Sequence, residues 1–324
     1  MSERIALFAN HDSAQMAEIA EAVRGQGGEP LCFDIRIGGD TLPLVTLDGD
    51  RAVWGGVDFA DIRAMHIRCT APRTLPTLPP LLNDASDAEY RLQFIKEQGF
   101  NAATYAFFEH QDLRGKLVVN RLTSAYVDHN SKGQLYEKLR AAGYTAPRSL
   151  STNDPVAARR FLDEVGEAVM KPAIGVGSTR LVSDDDMARL DEVRLCPTLF
   201  QQRIIGPTIR IHVVGGHMLL ALEIDAGGTV DSRTGAKSFE PIELPESEAR
   251  AVADATRFLG LHYAAWDGIL DADGKLSLLD CNPGPFVMWL PEHNRRAVFG
   301  GLARYLIAFS RTGSLEAASA AVLA

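Results

Sequence analysis

The chain has 324 residues, of which 46% are hydrophobic and 23% are charged, and its formal net charge is −9. This composition is typical of a globular protein of two or three modest domains, and the acidic balance argues against non-specific binding to nucleic acid or to anionic membranes. Because the chain shows no cleavable signal pattern, no apolar stretch that could span a bilayer and no C-x-x-C pair among its four cysteines, we expect a cytoplasmic protein with free thiols.

The first third of the chain alternates short apolar runs with a helical pattern. Strands are predicted over 5–9, 31–35 and 64–68, with an amphipathic helix between the first two. The apolar face of that helix consists of Met16, Ile19, Ala20 and Val23. This βαβ order predicts a small, mostly parallel sheet, and a long helix is expected over 87–110.

A second region begins near residue 120, where two helix starts can be recognised. The S-x-x-Q sequence from Ser131 to Gln134 has the form of a capping box and predicts a helix that starts there. Asp154-Pro155 predicts the N-cap and first residue of another helix.

A glycine-containing loop over 173–179 separates two predicted strands. Glycine permits close approach of the main chain, so the N–H groups of this loop can contact phosphate, with Lys171 as a flanking point charge. It is not a Walker loop, because the G-K-[ST] ending is lacking. The alternative interpretation of the segment is a plain hairpin.

Polar side chains at the ends of two later apolar runs predict a metal site. Asp280 and Asn282 lie two residues apart on one strand, so their side chains point to the same face. Asp267 lies on the preceding strand, and the D-A-D-G sequence over 271–274 predicts the hairpin turn between them. Pairing would bring together three oxygen ligands suited to Mg²⁺ when substrate phosphates complete its shell. Alternatively, Asp280 and Asn282 only end a strand before a Pro-Gly turn.

The order of these motifs carries more information than any one of them. After a Val-Val-Asn strand the chain shows an early lysine, then K-P-x-x-G-x-G, Q-Q-R-I, I-R-I-x-V-V-G, a lone Asp and D-x-N-P. In this order they resemble the ATP-grasp superfamily of carboxylate–amine ligases, particularly its glutathione-synthetase-like and RimK-type branches. The resemblance covers roughly residue 120 to the end.

The resemblance implies an α/β (α+β) architecture with the ATP-grasp fold. We expect an N-terminal βαβ pre-grasp domain over 1–119, a central lid domain over 120–200 and a C-terminal antiparallel-sheet domain over 201–324.

The resemblance also implies ATP and Mg²⁺ as cofactors and assigns roles to particular residues. The ATP-binding residues would be Lys132, Lys171, Gly175, Gly177, Ser178, Gln201, Gln202, Arg203, Ile204 and Arg210. The Mg²⁺ ligands would be Asp267, Asp280 and Asn282, and the catalytic residues would be Arg210, Lys171 and Arg233. Three positions depart from the family pattern, since Gln202 and Thr208 replace acids and Asp280 replaces a glutamate.

The implied reaction is ADP-forming ligation through an acyl phosphate, with an amine or hydroxyl as the nucleophile. The D-S-R sequence over 231–233 resembles the Asp-Trp-Arg element of graspetide ligases, which form ester or amide crosslinks in ribosomal peptides. A peptide substrate is therefore expected. We also expect a homo-oligomer, either a dimer or a tetramer. Two alternatives stay open: a glutamate ligase acting on a small molecule or protein tail, and a non-catalytic nucleotide-binding regulator. The presence of all three metal-type side chains with both lysines argues against the regulator.

Overall fold

The computed structural model describes residues 2–9, 13–35, 45–68, 87–122, 131–173, 178–225, 227 and 238–324. The chain forms two compact units, one comprising Met1–Leu122 with Gly284–Ala324 and the other comprising Thr123–Pro283. The finer division into three domains stays a prediction.

The first unit contains the parallel sheet predicted from the βαβ pattern. Its strands are β1 (Arg4–Ala9), β2 (Glu29–Asp34), β6 (Ala64–Ile67) and β7 (Leu117–Val119), in the order β2-β1-β6-β7. A three-stranded antiparallel sheet that the sequence analysis did not predict consists of β3 (Val45–Asp48), β4 (Arg51–Trp54) and β5 (Val57–Asp58).

Four helices of the first unit lie in the part of the chain that the structure describes. They are α1 (Ala14–Gly25), α2 (Asp87–Leu113), α7 (Glu292–Thr312) and α8 (Leu315–Ala321). The predicted apolar face of α1 is buried, and α7 packs against both α1 and β1. A two-pronged ion pair between Arg295 and Glu18 joins α7 to α1, with both N–O distances at 2.9 Å. Aromatic rings fill the sheet's other face, where Phe8 lies 4.8 Å from Phe108 and 5.0 Å from Phe33 between centroids.

The described residues of the second unit form two antiparallel sheets. The smaller sheet has the order β10-β9-β11-β8 and consists of β8 (Ser149–Thr152), β9 (Ala168–Pro172), β10 (Arg180–Leu181) and β11 (Thr198–Gln202). The larger sheet has the order β14-β13-β12-β15-β16 and consists of β12 (Thr208–Val214), β13 (His217–Asp225), β14 (Ser238–Pro241), β15 (Tyr263–Leu270) and β16 (Leu276–Asn282). The helices are α3 (Lys132–Ala141), α4 (Pro155–Val165), α5 (Asp184–Ala188) and α6 (Glu246–Phe258), with a 3₁₀ helix at Leu190–Leu195.

The two predicted helix starts differ in their capping contacts. Asp154 is the N-cap of α4, and its carboxylate accepts a hydrogen bond from the N–H of Val156 at 2.9 Å. Ser131 is the N-cap of α3, so the predicted helix start is confirmed there too, but the capping box is wrong, because the Ser131 side chain makes no cap hydrogen bond. The first turn of α3 is instead tied to β16 through the ion pair of Lys132 with Asp280.

Two expectations about the whole chain concern thiols and membranes. Cys32, Cys196 and Cys281 are free thiols, whereas Cys69 lies outside the described residues. Within the described ranges, no helix combines the length and the apolar character that a membrane crossing requires.

Candidate active site

The two strands predicted to carry the metal ligands pair as neighbours. In the antiparallel register of β15 and β16, Asp267 lies opposite Asp280, and Ala265 lies opposite Asn282. The turn between the strands is the predicted one, where the Asp271 carboxylate accepts hydrogen bonds from the N–H groups of Asp273 and Lys275. Because directly opposed residues share a face, the two carboxylates and the amide lie on the same side of the sheet.

Each carboxylate forms an ion pair with a buried cation. Lys132 Nζ lies 2.6 Å from Asp280 Oδ1, and Arg210 Nη1 lies 2.6 Å from Asp267 Oδ1. Arg210 stands directly opposite Asp267 on β12, so one row across the sheet reads Arg210, Asp267, Asp280. Burial alone would lower the pKa of Arg210, but the carboxylates of Asp267 and Asp280 raise it above its ordinary value. The guanidinium is therefore held charged beneath the surface.

A third cation joins this group through a buried tyrosine. Lys171 Nζ on β9 donates a hydrogen bond to the hydroxyl of Tyr136 at 2.8 Å, and Tyr136 lies on α3 one turn after Lys132. The sequence analysis did not identify Tyr136. Its position four residues after Lys132, which places both side chains on one helix face, is the signal that could have found it.

The chain is similar to several solved structures. Neither a protein-family model nor a curated protein sequence matches the chain. Among solved structures, the ATP-grasp ligase PsnB complexed with a minimal precursor is 26% identical, with a TM-score of 0.80 over 95% of this chain and 99% of that chain. A RiPP-associated ATP-grasp ligase from Chryseobacterium gregarium, in complex with ADP and a leader and core peptide, has 18% identity and a TM-score of 0.74 over 94% and 96%. A RimK-domain ATP-grasp protein from Sphaerobacter thermophilus has 18% identity and a TM-score of 0.60 over 94% and 99%.

The chain has the ATP-grasp fold. The fold class and the ATP-grasp recognition made from motif order are thereby confirmed. The expected cofactors, ATP and Mg²⁺, agree with a PsnB structure that is complexed with Mg and ADP and is 25% identical to this chain.

The donor set of this ATP-grasp protein fits Mg²⁺ only if other oxygens join it. Among the described residues there is no group of three or more His, Cys, Asp and Glu side chains that could hold a metal ion. The predicted set offers two carboxylates and the amide of Asn282, all of them oxygen ligands. Mg²⁺ is commonly held by one or two carboxylates with substrate phosphates and water. The residues present therefore fit a Mg²⁺ that arrives with a nucleotide.

The segment predicted to contact adenine lies at the end of β11. The main-chain N–H of Gln202 donates to the carbonyl of Arg148 at 2.9 Å, and that of Arg203 donates to the carbonyl of Glu167 at 3.0 Å. These two N–H groups are engaged in the sheet, so an adenine edge would meet the carbonyl groups of the segment or the main chain of Ile204. Gln201 is buried, and its side-chain oxygen faces the Tyr136 hydroxyl at 3.0 Å.

Three of the predicted site residues cannot be placed. Gly175 and Gly177 of the loop, together with Arg233, lie outside the described residues. The strands that flank the loop form the predicted hairpin, with Arg180 opposite Met170, and Ser178 directly follows the undescribed part. The roles of the loop and of Arg233 stay predictions.

One buried histidine shares the face that carries the ion pairs. His212 lies two residues after Arg210 on β12 and directly opposite Ala265 on β15. It is fully buried, as expected for a sheet residue, and burial together with the Arg210 charge lowers its pKa to about 3. The imidazole is therefore neutral at physiological pH.

Proposed function

We propose that the protein is an ATP-dependent ligase that activates a carboxylate as an acyl phosphate, releases ADP and transfers the acyl group to an amine or hydroxyl of a peptide. The observation that carries this proposal is the pairing of two cations with two carboxylates in one ATP-grasp unit, with a third cation joined to the group through a buried tyrosine. Lys132 and Arg210 contact Asp280 and Asp267 directly, and Lys171 reaches the same region through Tyr136.

The chemistry explains why such a site needs several cations. A carboxylate is a poor electrophile, and its attack on a γ-phosphate brings two anions together. Lysine and arginine side chains that are fixed before the reaction lower this barrier by stabilising the charge that develops. Mg²⁺ held by Asp267, Asp280 and Asn282 would supply positive charge that offsets part of the negative charge of the phosphates.

The residues divide this work according to their positions. Lys132 and Lys171 lie on α3 and β9, so we assign both to the phosphates of ATP. Arg210 lies in the centre of the larger sheet beside Asp267 and is assigned to the γ-phosphate and the acyl phosphate. Asp267, Asp280 and Asn282 would hold the metal.

A peptide substrate is supported by the neighbours that resemble the chain over almost its whole length. PsnB has been solved with precursor peptide PsnA2 and AMPPNP, and that structure is 26% identical over 95% of this chain and 98% of that chain. A peptide is therefore preferred over an amino acid as acceptor, while the homo-oligomeric state stays a prediction.

The test is a ligation assay on the purified protein with ATP, Mg²⁺ and candidate precursor peptides encoded near its gene. We expect release of ADP and phosphate, and a loss of one water from the peptide mass for each bond formed between a carboxylate and an amine or hydroxyl of the same peptide. The variant Lys171→Met lacks one of the assigned cations and should release less ADP than the unaltered protein. Formation of AMP would contradict the acyl-phosphate route, and nucleotide binding without turnover on any peptide would favour the regulator.

A further inference from the structure

Tyr136 lies at the centre of a buried hydrogen-bond cluster that joins the two sheets of the second unit. Its ring is fully buried on α3. Its hydroxyl oxygen lies 2.8 Å from Lys171 Nζ on β9, 3.0 Å from Gln201 Oε1 on β11 and 2.6 Å from the Leu279 carbonyl on β16. One hydroxyl group thus contacts three strands that belong to both sheets.

The chemistry of a hydroxyl fixes the direction of these bonds. An ammonium group can only donate, so the Tyr136 oxygen accepts from Lys171. The hydroxyl has one proton of its own, and it donates that proton to the Leu279 carbonyl or to Gln201 Oε1. Burial, followed by the charges of Asp280 and Asp267, raises the pKa of Tyr136 well above its ordinary value. The group therefore stays a neutral hydroxyl and never competes as an anion for the Lys171 charge.

The cluster connects the candidate phosphate-binding cation to the candidate metal strand. Leu279 directly precedes Asp280, whose carboxylate pairs with Lys132 at the start of α3. Lys132 and Tyr136 both lie on the buried face of α3. The helix thus contacts β16 at two successive residues and holds the Lys171 ammonium at the Tyr136 hydroxyl.

We propose that Tyr136 is a positioning residue for nucleotide binding, which fixes the Lys171 ammonium relative to Asp280 through the Lys171–Tyr136–Leu279 hydrogen-bond chain. A free lysine side chain has many rotamers, and a buried acceptor that selects one of them reduces the entropy lost when phosphate binds. This inference rests on the proposed function, because it requires that Lys171 contacts ATP.

The decisive experiment is a double-mutant cycle measured by calorimetry on the full chain, with Mg²⁺ and AMPPNP as the probe. Tyr136→Phe keeps the ring and removes only the hydroxyl, and we expect its Kd to rise about tenfold, since hydrogen bonds to charged groups contribute on this scale. Tyr144→Phe, a change of the same kind in the same unit, should leave the Kd unchanged. If Tyr136 acts through Lys171, adding Tyr136→Phe to Lys171→Met should cause no further loss beyond about twofold.

Each outcome separates this inference from the proposed function. If the two changes weaken binding independently and their effects multiply, Tyr136 supports the fold rather than Lys171, and the inference is overturned. If Lys171→Met weakens binding while Tyr136→Phe does not, the inference fails and the proposed function stands. If the unaltered protein binds no nucleotide, the proposed function fails first.

A second variant covers the case in which Tyr136→Phe does not fold. Lys171→Arg leaves Tyr136 unaltered and keeps the positive charge, but its planar guanidinium cannot take the place of the compact ammonium at the Tyr136 hydroxyl. We expect the same rise in Kd for this variant, and a Kd equal to that of the unaltered protein overturns the inference.

Discussion

Replacing Asp280 with asparagine removes one charge from the pair with Lys132 and leaves the shape of the side chain almost unchanged. The paired atoms lie 2.6 Å apart, and the side chains of Lys132 and Asp280 are 9% and 20% exposed, so the pair is neither fully buried nor freely solvated. Exposed pairs contribute about 0–1 kcal/mol, whereas breaking a buried pair costs about 3–5 kcal/mol. Since asparagine keeps an acceptor for the ammonium, we expect a cost of about 1–2 kcal/mol, or a fall of about 2–8 °C in melting temperature.

The effect of Asp280→Asn on metal-dependent binding should be larger than its effect on stability. In the unaltered protein we expect Mg²⁺ to strengthen AMPPNP binding, measured by calorimetry with Mg²⁺ and again with EDTA. The variant should lose this strengthening, because asparagine is a neutral and weaker ligand than a carboxylate. Asp273→Asn, in the exposed turn of the same two strands, is the matched control and should behave like the unaltered protein. An equal benefit from Mg²⁺ in the Asp280 variant would refute the assignment.

Three further predictions concern a cation, a histidine and a glycine. Lys171→Met should weaken AMPPNP binding by about 1.5–3 kcal/mol, as is typical of a lost hydrogen bond to a charged group, and unchanged calorimetric affinity would contradict it. His212 has a folded-state pKa of about 3 against 6.5 in the unfolded chain, so its contribution to stability is present above about pH 6.5 and is lost as the pH falls. Between about pH 7.5 and 5.5, the free energy of unfolding measured with urea should fall by about 1.4 kcal/mol because of His212. The variant His212→Leu should lack this part of the fall, and an equal fall in the variant would contradict the prediction. Gly206→Ala should destabilise the fold by about 1–3 kcal/mol, since its Cβ would lie 2.0 Å from the Leu270 carbonyl oxygen, whereas Gly99→Ala meets open space and serves as the control in thermal melts.

The parts of the fold that the sequence predicted are those in which local pattern and tertiary packing agree. Asp280 and Asn282 end an apolar strand that follows a D-A-D-G turn, so the turn and the face that these two side chains share follow from short-range rules. The register does not, because a shift between Asp267 and Gly268 is what brings Asp267 opposite Asp280. The N-terminal strand is a continuous apolar run that is buried along almost its whole length, and α1 shows the period of 3.6 residues that its single buried face requires.

The parts that sequence reasoning missed depend on contacts between distant residues. Tyr136 reads as an ordinary apolar position of a helix, and only the tertiary structure brings Lys171 and the Leu279 carbonyl to its hydroxyl. Around Ser131 the helix start could be predicted locally, but the ion pair of Lys132 with Asp280, 148 positions later by the difference of the two residue numbers, could not. The three short strands β3 to β5 have too few residues for a clear alternating pattern.

The charge pairs of the site are better explained by function than by stability. Replacing a buried ion pair with apolar residues is often neutral or stabilising, so a chain shaped only for stability has little reason to place Arg210 and Lys132 beneath the surface. Cations that already have a fixed position before a triphosphate binds need little reorganisation, and this is the condition under which they stabilise developing negative charge most strongly. The same pairs also join α3 to β16 and β12 to β15. Variants at these positions therefore change stability and binding together, and melting curves must accompany every measurement of affinity.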